Sequence, residues 1–211
     1  MNVLSDYGER HRIDWLTYNP LRMRFFHRYA KRDASAVIAS LETVIPEART
    51  YADIGAGSGA YAAEAVRRGH PTMACERSAT GRLIARRQGV VSVPFDLTKP
   101  RPARLPMNSI DLAYSFEVAE HLPPELGERL VEFMCQIDAP TVVFSAAQPG
   151  QGGTGHINER PSAHWAQRFA EKGYGLDEGH TSTLRDAMRS RDVTSRWLLS
   201  NAMVLRKAAP S

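Results

Sequence analysis

From residue 49 onward, short apolar runs alternate with amphipathic segments, and no other feature of the chain restricts its fold as much. Strand–helix repeats of this kind build βαβ units on a parallel sheet. The strand candidates are "TYADIG" (50–55), "PTMACE" (71–76), "VVSVPF" (90–95), "IDLAYSF" (110–116), "TVVFSAA" (141–147), "YGLDEG" (174–179) and "NAMVLRK" (201–207). Helices fall between them and stop at Gly69, Gly89 and Gly173, where glycine past the last turn provides a C-terminal cap. The last strand follows what reads as only a short helix, so it is expected to insert antiparallel beside the sixth. The expectation is an α/β protein with a doubly wound, seven-stranded sheet whose last strand is antiparallel.

Residues 1–48 read as a helical extension that could serve as a lid or substrate segment, ahead of an α/β domain over 49–211. Leu21, Phe25, Phe26 and Tyr29 make one apolar helix face, Asp33 is placed to cap a second helix, and Pro46 ends it. Between Arg10 and Arg32 basic residues crowd the chain: Arg10, Arg12, Arg22, Arg24, Arg28, Lys31 and Arg32 stand against only Asp14. They could steer an anionic partner or simply form a solvated helix face.

A chain of 211 residues, 43% of them hydrophobic, can bury a full core as one domain with a small appendage. Cys75 and Cys135 sit in apolar segments, a reduced intracellular pattern, and no Cys/His cluster suggests zinc. The N-terminus lacks a signal-peptide core and no apolar run is long enough to span a bilayer, so a cytoplasmic protein is expected. A net charge of +4 is mild for a nucleic-acid binder.

The chemistry-bearing glycines lie in "YADIGAGSGAYA". Gly55, Gly57 and Gly59 follow a strand and precede a helix, a turn in which bare backbone can approach a ligand closely. Alone this also fits a dinucleotide fingerprint. Asp53, two residues before Gly55, can hold the loop amides or a ligand ammonium. Glu76 ends the second strand, placed to accept hydrogen bonds from vicinal ribose hydroxyls. Asp96 follows the third strand, placed for an exocyclic adenine amine, with the Leu97 amide beside it. An amine, a ribose and an adenine without a pyrophosphate describe S-adenosylmethionine.

With these residues the chain resembles class I S-adenosylmethionine-dependent methyltransferases, a Rossmann-like family, over most of residues 49–207. "DIGAGSG", which includes Ala56, matches the family's glycine loop, and "ACER", which includes Arg77, its acidic second-strand end. "FDL" matches the third-strand aspartate and "DLAYSFEVAEHLPP" the fourth-strand segment. The resemblance implies that Ser115, Phe116 and Glu117 line the methionine side, with His121 at the pocket edge, and that S-adenosylhomocysteine is the product. Glu117, Glu120 and His121 also precede a helix, where they could merely cap amides.

Methyl transfer is an in-line displacement, so positioning in a dry pocket can supply most of the rate. The acceptor is expected over the carboxyl ends of the fourth and fifth strands. Two segments could close it: the N-terminal region with Trp15, Tyr18, Arg22 and Arg24, and "QPGQGGTGHINERPSAHW" (148–165). The second reads as a flexible flap that brings His156, as a base or acceptor-orienting group, and Asn158, as a hydrogen-bond partner, to the reaction. Alternatively His156 stabilises the loop and Asn158 caps the next helix; Trp165 and Phe169 read as core. That run, with "WLLSNAMVLRK", is also similar to bacterial methyltransferases acting on small metabolites or glycan precursors.

A small-molecule acceptor, conceivably anionic, is therefore expected, with O-, N- or C-methylation open. RNA methylation is the enzyme alternative, against which stands the absence of a (D/N)PP(Y/F/W) signature in the fourth-strand segment. A non-methylating S-adenosylmethionine-binding protein or cyclase is the other. No metal site is expected, because carboxylates and histidines do not cluster at ligand spacing along the sequence.

Overall fold

Four consecutive buried positions in β1 (Tyr51–Ile54) and five each in β2 (Thr72–Glu76) and β5 (Thr141–Ser145) require cover on both faces of a sheet. The computed structural model describes the backbone of residues 20–209 except 104 and 108, and side chains from residue 27 onward. It forms one seven-stranded sheet of order β3-β2-β1-β4-β5-β7-β6, with β3 at Val91–Pro94, β4 at Leu112–Phe116, β6 at Tyr174–Leu176 and β7 at Met203–Lys207. Strands β1 to β5 pair in parallel, while β7 runs antiparallel between β5 and β6. All seven strand expectations are met, and so is the antiparallel ending.

Alternation along the strands sorts the core into two layers. On one face Ala52, Ile54, Cys75, Ala113, Val142 and Phe144 pack against α4 (Pro124–Gln136) and α5 (Ser162–Ala170), with Trp165 and Phe169 in that core as expected. On the other, Tyr51, Leu112, Tyr114, Val143 and Val204 meet α1 (Pro20–Val44), α6 (Glu178–Arg189) and α7 (Arg196–Asn201). Helices α2 (Ala60–Arg67) and α3 (Ala79–Arg87) follow β1 and β2.

Two expectations are corrected here. The β6–β7 connection holds α6 and α7 rather than one short helix. Its polar sequence "EGHTSTLRDAMR" conceals an apolar stripe, since only Thr181, Leu184, Ala187 and Met188 are buried. Asp33 lies inside a continuous α1 and does not cap it. Its buried carboxylate instead accepts from the backbone and hydroxyl groups of Thr194 and Ser195, at 2.6–3.1 Å, just ahead of α7.

Helix α1 is integrated into the domain, with Val37, Ile38 and Leu41 fully buried. Near its N-terminal end the His27 Nδ1 lies 3.0 Å from the Ser58 hydroxyl in the glycine loop. Trp15 and Tyr18 lie outside the described residues. Among the described residues no helix is long and apolar enough to cross a membrane.

Candidate active site

The carboxyl ends of β1, β2 and β4 converge where the strand order reverses, the usual crevice of an open α/β sheet. Gly55, Gly57 and Gly59 all have positive φ, of 77°, 56° and 72°. Gly59 is doubly constrained, because a Cβ there would stand 2.6 Å from the Ala85 Cβ of α3. A Cβ on Gly57 would meet no protein atom within 4 Å, so the loop turns bare backbone outward.

Glu76 holds this loop in shape. Its carboxylate accepts from the Gly57 amide at 2.8 Å and the Ser78 amide at 2.6 Å. A carboxylate offers about four lone-pair sites, so two internal amides still leave room for vicinal hydroxyls. Asp96 accepts from the Thr98 amide and hydroxyl, which hold its carboxyl below the usual range against the opposing effect of burial. The exposed Arg77 contributes its charge on that side. The Leu97 side chain anchors the turn in the core.

Asp53 is buried beneath the loop, and its Oδ2 has no hydrogen-bond partner among the described residues. Burial, and then the neighbouring Glu76 charge, push its carboxyl up to about 8. An acid whose folded pKa is raised costs stability as pH climbs from its unfolded value of about 3.9 toward the folded one. The cofactor-free protein should therefore lose thermal stability between pH 5 and pH 8, and Asp53→Asn should flatten that slope in paired melting curves. An unchanged slope in the variant would remove Asp53 as its source.

Where the resemblance puts the methionine side, Ser115 is fully buried and its hydroxyl has no hydrogen-bond partner among the described residues. Phe116 stacks on Tyr114 and meets Tyr61 edge-on. Glu117, at φ 53°, donates its amide to Ser145, and its carboxylate accepts from Gln151 at 3.3 Å and Asn201 at 3.4 Å. Unsatisfied buried oxygens and a bare glycine loop fit an adenosyl cofactor carrying an ammonium group.

The glycine-rich stretch after β5 does bind an anion, but one of its own. The Gly150 and Gly152 amides donate to the two Glu159 oxygens at 2.8 Å each, and His156 Nδ1 lies 2.9 Å from Glu159 Oε1. Gly153 lies flat against that imidazole, where a Cβ would come within 2.3 Å of Nε2. Gln148 closes the loop through Ser162, so the expected flexible flap is a loop tied at several points.

Asn158 is neither at the α5 cap, where Pro161 stands, nor turned outward. It is buried, donating to the Ala119 carbonyl and accepting from Arg160. His121 and His156 meet edge to face with centroids 4.9 Å apart. Glu159, Gln151 and Asn201 were missed by the sequence reading. Glu159 had one local signal, its place three residues after His156 in "HINE". Asn201 had none, because only the antiparallel β7 returns it to the β5 end.

This crevice at a strand-order reversal, on a sheet ending in the antiparallel strand β7, is the Rossmann-like fold of class I methyltransferases. Residues 52–138 match the family described as "Methyltransferase domain". No curated protein matches the sequence. Among solved structures, the sugar N-methyltransferase KedS8 from Streptoalloteichus sp ATCC 53650 is similar at TM-score 0.64 and 15% identity, over 88% of this chain and 92% of that one. Magnesium protoporphyrin IX methyltransferase (ChlM) from Synechocystis PCC 6803 with bound SAM gives TM-score 0.64 at 11% identity, over 99% and 100%. The [4+2]-cyclase SpnF gives TM-score 0.53 at 14% identity, over 76% and 75%.

Proposed function

We propose that the chain transfers a methyl group to oxygen, nitrogen or carbon of a small metabolite or biosynthetic intermediate in the cytoplasm. The observation that carries this reading is a cavity of about 780 Å³ lined by Gln148, Gln151, Asn201, Glu178, Arg185 and Arg189 among others, of which Gln151 and Asn201 donate to Glu117. That volume suits one small molecule. Arg185 and Arg189 would suit an acceptor with an anionic group and Glu178 one that also carries a donor.

When bound, the cofactor supplies an electrophilic methyl group on its sulfonium. In this reading Asp53, Glu76, Asp96 and the glycine loop fix the donor, while Ser115, Phe116 and Glu117 keep the methionine side dry. His121 and His156 face the acceptor side, and the start of α1 meets the cofactor loop through His27. Trp15 and Tyr18 are the acceptor contacts in this reading.

Methyl-labelled cofactor incubated with size-fractionated cell extract tests the function. Label in a small-molecule fraction supports it. Label in RNA, lost steeply with salt, would replace it with RNA methylation. Tight cofactor binding with no labelled product in any fraction would favour a binding protein or cyclase. Once an acceptor is in hand, His156→Ala should lower kcat about 100-fold, as loss of a positioned proton-handling or orienting group does, with cofactor affinity unchanged. Lost cofactor affinity with kcat intact would reassign the loop to the cofactor.

A further inference from the structure

The sequence gives no metal-ligand spacing, yet folding brings Glu120, His121 and His156 together with their ligand atoms all within 4.8 Å of one another. We propose that these three residues bind one divalent transition-metal cation on the acceptor side of the site. Glu120 is the strongest argument. It sits on a short 3-10 turn, Ala119–His121, with no exposed surface, and neither carboxylate oxygen has a hydrogen-bond partner among the described residues. Burying a carboxylate in this way is costly unless a proton or a cation compensates it.

The surroundings are organised around the same three residues. The Glu120 carbonyl accepts the Ile157 and Asn158 amides at 2.8 and 3.0 Å, pinning the His156 segment to the turn. With Nδ1 engaged by Glu159, the His156 Nε2 is the nitrogen left to act as ligand, the carboxylate–histidine–metal arrangement that orients a ligating imidazole. Ligands at about 2.1 Å from a cation lie up to about 4.2 Å apart, so the set closes with side-chain shifts of less than about 1 Å. Two imidazoles and a carboxylate suit manganese, iron, cobalt, nickel or zinc better than calcium. With three protein ligands, positions remain open for an acceptor heteroatom. That use rests on the methyl-transfer reading, whereas cation binding does not.

The test is calorimetric titration of chelator-treated full-length protein with Mn²⁺ and with Zn²⁺, without substrate. The wild type should take up one equivalent of at least one of them. Glu120→Gln and His121→Ala should each bind at least about tenfold more weakly. S-adenosylhomocysteine titrated into the same samples reports folding of each variant and tests the cofactor site separately. No saturable uptake by the wild type, or uptake unchanged in folded variants, overturns the proposal. Should Glu120→Gln fail to fold, His121→Ala alone decides. Absent S-adenosylhomocysteine binding with intact cation uptake would instead count against the cofactor site.

Discussion

Glu76→Ala should raise the dissociation constant for S-adenosylhomocysteine by at least about 100-fold. Hydrogen bonds to a charged group contribute roughly 1.5–3 kcal/mol each, and two lost to ribose hydroxyls give about 3–6 kcal/mol, where each 1.4 kcal/mol is a factor of ten. A second effect acts in the same direction. The substitution also frees the Gly57 and Ser78 amides, so the loop loses the contacts that hold its backbone toward the ligand. Isothermal titration measures the outcome directly. A change of threefold or less would show that the ribose is held elsewhere and that Glu76 serves only the loop. Removing this charge also relieves Asp53, whose raised pKa owes its second largest contribution to Glu76. The pH slope of stability should therefore shrink in Glu76→Ala as well.

The fold was legible because each strand carries its own local signature and each following helix has its own stop. Glycine at 69, 89 and 173 marks chain positions regardless of tertiary context, with φ of 96°, 82° and 85°. The cofactor side was legible for a similar reason. Asp53, the glycine loop, Glu76 and Asp96 all lie at strand ends, so strand order alone brings them together. The acceptor side was not, because its partnerships span distant segments. Glu120 meets His156 only after β5 and its loop fold back over the 3-10 turn. Gly150 and Gly152 look like a phosphate cradle until the chain's own Glu159 is seen between them. Asp33 misled for a different reason. Aspartate is a common helix cap, and sequence alone does not show that a carboxylate inside α1 serves amides on a segment 161 residues away.

That long-range contact gives the second large effect, a loss of about 3–5 kcal/mol on Asp33→Ala, since hydrogen bonds to a charged group contribute roughly 1.5–3 kcal/mol each. For a chain this size the loss corresponds to roughly 10 °C in Tm. The carboxylate accepts from two amides and two hydroxyls, and the substitution leaves those donors facing a buried gap. Its pKa sets the pH window. Burial raises the pKa, but the hydrogen bonds from Ser195 and Thr194 outweigh it and leave the folded value below the ordinary one. The stabilisation is therefore complete above the unfolded pKa of about 3.9 and is lost as pH falls through the lower folded value. Urea unfolding should show the full gap between wild type and variant at pH 7 and a smaller one at pH 3. An equal gap at both would mean that packing, not the charge, is what the substitution removes. The consequence reaches the site as well. Helix α7 begins at this contact and ends at Asn201, whose amide reaches Gln151 at 2.9 Å and Glu117 at 3.4 Å. A variant that folds with α7 displaced should also turn over slowly in the proposed reaction, because α7 carries Asn201 to Gln151 and Glu117.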